Sequence, residues 1–252
     1  MNLKHLNFDG IYFVGDIHGE FNPFIFNTQK FNNSLFILAG DVGFGFYKSN
    51  YYLDTIHFIN QKLRKNNNHI IAIRGNHDNP LWFNTEFLEN IQFNYSNWIN
   101  VPDYTVIETN QANILCIGGA HSVDRKSRIK DVDWWENETV VELSTEMLKN
   151  INQYDINTIV SHSSPNICYP LTKEGLLRWG KLDDKIVKDC DLERSILFNI
   201  YEKLCNYHKI ENWYYGHYHK SYFLTYENEY TNQVTKFHGL NCHEIKEYRS
   251  HE

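Results

Sequence analysis

Residues 11–19 read IYFVGDIHG, an apolar run that stops at Gly15 and leads into two metal-ligand side chains, Asp16 and His18. Short runs rich in β-branched and aromatic residues that end at glycine predict β-strands. Because residues i and i+2 of an extended segment point the same way, Asp16 and His18 can reach toward one point. The stretch therefore predicts a strand whose carboxyl end carries metal ligands.

The same arrangement, a strand-like run followed by small and ligand-type residues, returns along the chain. The further runs are 35–39, 70–73, 114–117, 158–160 and 213–215; they lead into Gly40-Asp41, Gly75-Asn76-His77-Asp78, Gly118-Gly119-Ala120-His121, Ser161-His162-Ser163 and Gly216-His217-Tyr218-His219. Each motif alone is also typical of an ordinary turn. Because ligands bind outside the carboxyl ends of strands in an α/β sheet, the ordered set indicates one shared site.

Helical periodicity lies between these strands, over residues 52–65, 140–151 and 192–207. Alternation of strands and helices predicts the α/β class. Residues 222–226 and 234–238 predict a late hairpin. With 252 residues, no internal repeat and no obvious linker, the chain is expected to form a single domain over 1–252.

Composition excludes several classes of function. The net charge of −7 argues against broad nucleic-acid binding, which needs a positive surface. The five cysteines are widely spaced and contain no Cys-x-x-Cys pair, so a disulfide framework is not expected. No apolar leader or long apolar run is present, so we expect no membrane segment and a cytoplasmic location.

The ligand-type residues are Asp, His and Asn, with no cysteine among them. This mixture suits manganese, iron or zinc better than soft metals. Two divalent ions about 3.5–4 Å apart can clamp the attacking and leaving oxygens of a phosphoryl displacement, and they activate water near neutral pH. A carboxylate that bridges both ions is the expected way to hold them this close.

The order of these motifs over residues 11–219 resembles that of the calcineurin-like metallophosphoesterase superfamily. The resemblance implies two facing mixed β-sheets flanked by helices, a four-layer αββα sandwich. It implies that Asp16, His18 and His219 hold a first metal, that Asn76, His162 and His217 hold a second, and that Asp41 bridges them. His77 is similar to the histidine that protonates the leaving oxygen or steadies the scissile phosphate. A metal-bridging hydroxide would be the nucleophile, with Asp41 and His77 as the catalytic residues.

Three arginines are candidates for binding the phosphate of the substrate. Arg74 is placed as in the protein Ser/Thr phosphatase branch, although Val42–Phe46 lacks that branch's acidic residue after the bridging aspartate. Arg125 and Arg128 follow the fourth motif, and a guanidinium suits bidentate binding of phosphate oxygens. We therefore expect a phosphomonoesterase that uses manganese, with iron or zinc as other choices. The alternatives are a phosphodiesterase acting on cyclic nucleotides or nucleic acid, and a non-catalytic metal-binding scaffold.

Overall fold

Two mixed β-sheets lie face to face between helices in the structure, a computed structural model that describes residues 2–249. The strands within this range are β1 (Asn2–Leu6), β2 (Gly10–Val14), β3 (Ser34–Leu38), β4 (His69–Ala72), β5 (Trp98–Asn100), β6 (Val106–Thr109), β7 (Asn113–Ile117), β8 (Thr158–Ser161), β9 (Asn212–Tyr215), β10 (Tyr222–Glu227), β11 (Val234–Gly239) and β12 (Ile245–Glu247). The α-helices are α1 (Phe21–Thr28), α2 (Ser49–Lys65), α3 (Thr85–Asn90), α4 (Thr145–Ile151), α5 (Glu174–Gly180) and α6 (Ile186–Cys205).

Parallel pairing brings the strand ends to one edge. The five-stranded sheet has the order β12-β2-β3-β4-β5, and the seven-stranded sheet has the order β1-β6-β7-β8-β9-β11-β10. In the first sheet β2 to β5 are parallel, and β12 runs antiparallel to β2. In the second sheet β7, β8, β9 and β11 are parallel neighbours. The segments that follow β2, β3, β4, β8 and β9 therefore leave their sheets in line with one another.

The alternation of side chains along each strand builds three hydrophobic layers. On β3, Phe36 and Leu38 pack toward the helices, whereas Leu35 and Ile37 pack between the sheets. The aromatic rings of Phe13 and Tyr214 stack across the two sheets, with their centroids 3.7 Å apart. A further core lies between the seven-stranded sheet and helices α4 and α6. This confirms the predicted αββα sandwich.

The predicted strands and hairpin are confirmed to within one residue at each end, but all three helices differ from their predictions. The helix predicted over 52–65 is α2, which begins at Ser49. Residues 140–144 lie outside α4, which starts at Thr145 because the Ser144 side chain caps it and accepts the Met147 N–H at 3.1 Å. The helix predicted over 192–207 is α6, which begins at Ile186 and ends at Cys205. Among the described helices, none has the length and apolar character needed to cross a membrane. The single-domain assignment stays a prediction, and residues 1 and 250–252 lie outside the described part.

Candidate metal centre

The loops that follow β2 and β3 are tied together by their backbones. The Ile17 and His18 N–H groups both donate to the Asp41 carbonyl, at 3.2 and 2.8 Å, and the Gly19 N–H donates to the Val42 carbonyl at 2.8 Å. These bonds place the side chains of the first two motifs side by side.

A first cluster of possible metal ligands forms where these loops meet the chain after β9. It consists of Asp16, His18, Asp41 and His219, whose ligand atoms all lie within 4.8 Å of one another. His219 Nε2 is 3.0 Å from both Asp16 Oδ2 and His18 Nε2. Two imidazole nitrogens and a carboxylate oxygen thus face one small volume, an arrangement that fits a divalent cation.

A second cluster lies beside the first and consists of Asp41, His162 and His217, again with ligand atoms within 4.8 Å of one another. His162 Nδ1 donates to the Ala39 carbonyl at 2.7 Å, so its Nε2 is the atom left for the cluster. Nε2 lies 3.1 Å from Asp41 Oδ1 and 3.1 Å from Asn76 Oδ1. One imidazole nitrogen and two oxygens converge here, and once Nε2 is deprotonated this donor set also fits a divalent cation.

Asp41 belongs to both clusters, and glycine backbone lies directly against its carboxylate and against that of Asp16. A side chain at Gly75 would place its Cβ 2.1 Å from Asp41 Oδ1, and one at Gly216 would place its Cβ 2.2 Å from Asp16 Oδ1. Only glycine fits at these two positions. The glycines in the sequence motifs thus make room for the carboxylates.

Four of the predicted ligands have left-handed backbones, with φ of 46° at His18, 48° at Asp41, 68° at His217 and 49° at His219. Such conformations cost of the order of 1–3 kcal/mol each and cluster at functional sites. They also explain how His217 and His219 reach separate clusters although both follow one strand.

The electrostatics of the second cluster are dominated by one buried pair. Burial lowers the pKa of His162, but the Asp41 carboxylate outweighs it and raises the pKa to about 10. Burial raises the pKa of Asp41, but His162 outweighs it and holds that pKa below its usual range. A proton on His162 Nε2 and a cation compete for one position, so metal binding here releases a proton.

His77 lies beside the clusters without belonging to either. Its backbone N–H donates to Asp41 Oδ1 at 2.7 Å, and its Nε2 lies 2.9 Å from Arg128 Nη2. Since a guanidinium only donates, His77 Nε2 is the acceptor and its proton sits on Nδ1. Burial lowers the pKa of His77, and Arg128 lowers it further against the attraction of Asp41.

The three arginines proposed as substrate contacts lie in different surroundings. Arg74 is buried, and all its N–H groups point to Asp103 and to the carbonyls of residues 137–139, at 2.6–3.2 Å. Arg125 pairs with Asp183 and Asp189, both at 2.6 Å. The contacts of Arg74 argue against phosphate binding, because they use all of its N–H groups. Arg125 keeps free N–H groups, but its two ion pairs hold it beside Asp183 and Asp189. Arg128 is the arginine of the three that contacts His77.

Sequence reasoning missed the residues that support the centre. Asn76 Nδ2 donates to Ser122 Oγ at 3.1 Å, and the Ser122 hydroxyl donates to Glu138 Oε2 at 2.8 Å. These two hydrogen bonds turn Asn76 Oδ1 toward His162. Asp78, left without a role, accepts four backbone N–H groups, those of Val42, Gly43, Phe44 and Gly75. An acidic residue directly after Gly75-Asn76-His77 was the signal available for Asp78, whereas Ser122 and Glu138 gave none.

His121 lies apart from the clusters, in a cavity lined also by Arg125, Asp183 and Asp189. Burial lowers its pKa, and Arg125 lowers it further.

Comparison with known proteins agrees with this geometry. A search of curated proteins finds no match. A family model described as calcineurin-like phosphoesterase matches residues 10–221, which include every residue of both clusters. The chain therefore belongs to the calcineurin-like phosphoesterase family, whose members carry out metal-dependent hydrolysis of phosphate esters.

Proposed function

We propose that the protein is a dinuclear metal-dependent phosphoesterase that hydrolyses phosphate monoesters. The observation that carries this proposal is the position of Asp41. Its Oδ1 lies 3.1 Å from His162 Nε2 in the second cluster, and its Oδ2 lies 3.9 Å from His18 Nδ1 in the first. Family membership supports metal-dependent hydrolysis in general; the number of ions and the substrate class are what the proposal adds.

The position of each residue determines which ion it would hold. Asp16, His18 and His219 would hold the first ion, Asn76, His162 and His217 the second, and Asp41 both. When bound, the two ions polarise the phosphoryl oxygen and activate water near neutral pH. Manganese, iron and zinc all suit these donors.

His77 and Arg128 act on the phosphate and the leaving group. Neutral His77 holds a proton on Nδ1 and is kept in place through its backbone bond to Asp41, which suits a hydrogen-bond donor that steadies the scissile phosphate or the departing oxygen. Arg128 is fixed by Asp124 at 2.7 Å and by the Asp133 carbonyl at 3.0 Å. A fixed guanidinium at this place favours a monoester, whose phosphate carries more negative charge than that of a diester.

A phosphodiesterase acting on cyclic nucleotides or nucleic acid is the second candidate. The observation in its favour is that Arg74 is turned away into its contacts with Asp103, which leaves one guanidinium fewer for the terminal oxygens of a monoester.

The test is a comparison of p-nitrophenyl phosphate with its bis-ester on manganese-reconstituted protein. We expect a higher kcat/KM for the monoester, and we expect Arg128→Gln to reduce monoester turnover more than bis-ester turnover. Arg64→Gln, an exposed change on α2, is the matched control. A preference for the bis-ester would refute the monoester assignment. Folded, metal-loaded protein that turns over neither ester would favour the non-catalytic scaffold.

The cytoplasm remains the proposed location, because the five cysteines are free thiols in the structure and thiols persist in reducing compartments.

A further inference from the structure

A cysteine lies next to the first cluster. Cys242 is grouped with His18 and His219, and its Sγ and their imidazole nitrogens all lie within 4.8 Å of one another. It is half-buried, whereas the other four cysteines, Cys116, Cys168, Cys190 and Cys205, are buried. Cys242 is thus the cysteine that can meet an ion bound at this centre.

The backbone holds Cys242 in this place. The Leu240 N–H donates to the Tyr215 carbonyl at 2.9 Å, the His243 N–H donates to the Asp16 carbonyl at 3.1 Å, and the Gly15 N–H donates to the Glu244 carbonyl at 3.0 Å. These bonds lie on both sides of Cys242 and join its segment to the loop that carries the first ligands. The position of the thiol therefore follows from the fold.

The distances suit a shared ion. Metal–nitrogen bonds of about 2.1 Å and metal–sulfur bonds of about 2.3 Å allow two ligand atoms of one ion to be up to about 4.4 Å apart. Cys242 Sγ and the His18 and His219 nitrogens lie within 4.8 Å of one another, so a small movement of these side chains would bring all three to one ion. Thiolate is a soft ligand that favours zinc, iron or cobalt, whereas manganese prefers oxygen.

We propose that Cys242 is a thiolate ligand of the ion held by Asp16, His18, Asp41 and His219, and that it biases this position toward thiophilic metals. The proposal rests on the metal centre of the proposed function and adds a ligand to it. It also revises the donor set derived from the sequence, which contains no cysteine.

Cobalt titration of the metal-free full-length protein tests the proposal without measuring activity. Visible absorption of cobalt reports occupancy, and a near-ultraviolet thiolate-to-cobalt charge-transfer band reports the sulfur ligand. We expect the band in the wild type and in Cys205→Ala, a buried cysteine at the end of α6 that serves as the matched control. Cys242→Ala should lose the band and about tenfold or more in cobalt affinity, as expected for a lost contact to a metal site. His219→Ala should also lose the band.

Three results would overturn the proposal, and they are distinguishable. Cobalt that binds and supports ester hydrolysis without the near-ultraviolet band would refute the thiolate ligand and leave the proposed function standing. Protein that binds no cobalt and hydrolyses no phosphate ester would refute both. A band that persists in Cys242→Ala would show that another thiol is the ligand.

Discussion

Replacing Asp41 by Asn tests the bridge directly, because the change removes one charge and almost no volume. The asparagine can still accept the His77 N–H that Asp41 Oδ1 accepts at 2.7 Å, so the loop should keep its shape. Two unit charges about 4 Å apart interact by about 4 kcal/mol at an effective dielectric constant near 20. Asp41 Oδ2 and His18 Nδ1 are 3.9 Å apart, so a cation bound between these two ligands would lie within about 4 Å of the carboxylate. At 1.36 kcal/mol per tenfold, the dissociation constant of each ion should rise about a thousandfold.

The assay measures the metal content of each variant by mass spectrometry after equilibrium dialysis against manganese. The rate of ester hydrolysis is then measured on the same samples. Wild-type protein should retain two ions, Asp41→Asn neither, and Asn76→Ala only the one held by the first cluster. Asp54→Asn, an exposed change on α2, is the matched control for the loss of a carboxylate. If Asp41→Asn kept one ion at wild-type affinity, the carboxylate would serve a single position and the dinuclear proposal would be wrong.

Three further changes probe other parts of the argument. Gly75→Ala would place its Cβ 2.1 Å from Asp41 Oδ1 and should lower metal content and turnover about a hundredfold or more, whereas Gly175→Ala, with no atom within 4 Å, should be neutral in both assays. His77→Ala should lower kcat about 10²–10⁴-fold with metal content unchanged; a parallel fall in metal content would contradict its assigned role. Burial lowers the pKa of His238 from 6.5 to about 3, so the folded state stays neutral where the unfolded state binds a proton. The stability it supports is present above pH 6.5 and should fall by about 2 kcal/mol between pH 6.5 and 5. His238→Gln should flatten this dependence in denaturant unfolding curves, and an unchanged slope would count against the assigned cause.

The strands next to the site could be predicted because their sequences carry two independent signals. Residues 35–39 are apolar on both faces, as expected for a strand covered by a second sheet and by helices, and they end at Gly40. The ligand motifs then follow at fixed positions after the strands. The ordered motifs identified the residues of both clusters for this reason, since strand ends in parallel register must lie side by side.

The elements that were missed lack such signals. Helix α1 contains Pro23 in its first turn and is stabilised by burial of Phe21, Phe24 and Ile25, a tertiary effect that its local sequence does not show. Strands β5 and β12 are three residues long, too short for alternation to be recognised. Ser122 and Glu138 support Asn76 from positions 46 residues or more along the chain, and no local pattern marks that contact.

The three candidate arginines show why residue type and place in the sequence are not enough to assign phosphate binding. A guanidinium has five N–H groups, and it can grip a phosphate only with those that the protein leaves free. Arg74 uses all of its groups on Asp103 and on carbonyls 63 to 65 residues away, contacts that only the folded chain creates. Arg128 donates from Nε to Asp124, from one Nη1 proton to the Asp133 carbonyl and from one Nη2 proton to His77. Within the described part of the chain, that leaves it one N–H on each terminal nitrogen, the pair a phosphate needs for bidentate binding. The lack of free donors thus argues against Arg74. Arg125 keeps free donors but pairs with Asp183 and Asp189, whereas Arg128 contacts His77 beside the clusters, so position in the fold makes Arg128 the arginine to expect on the substrate.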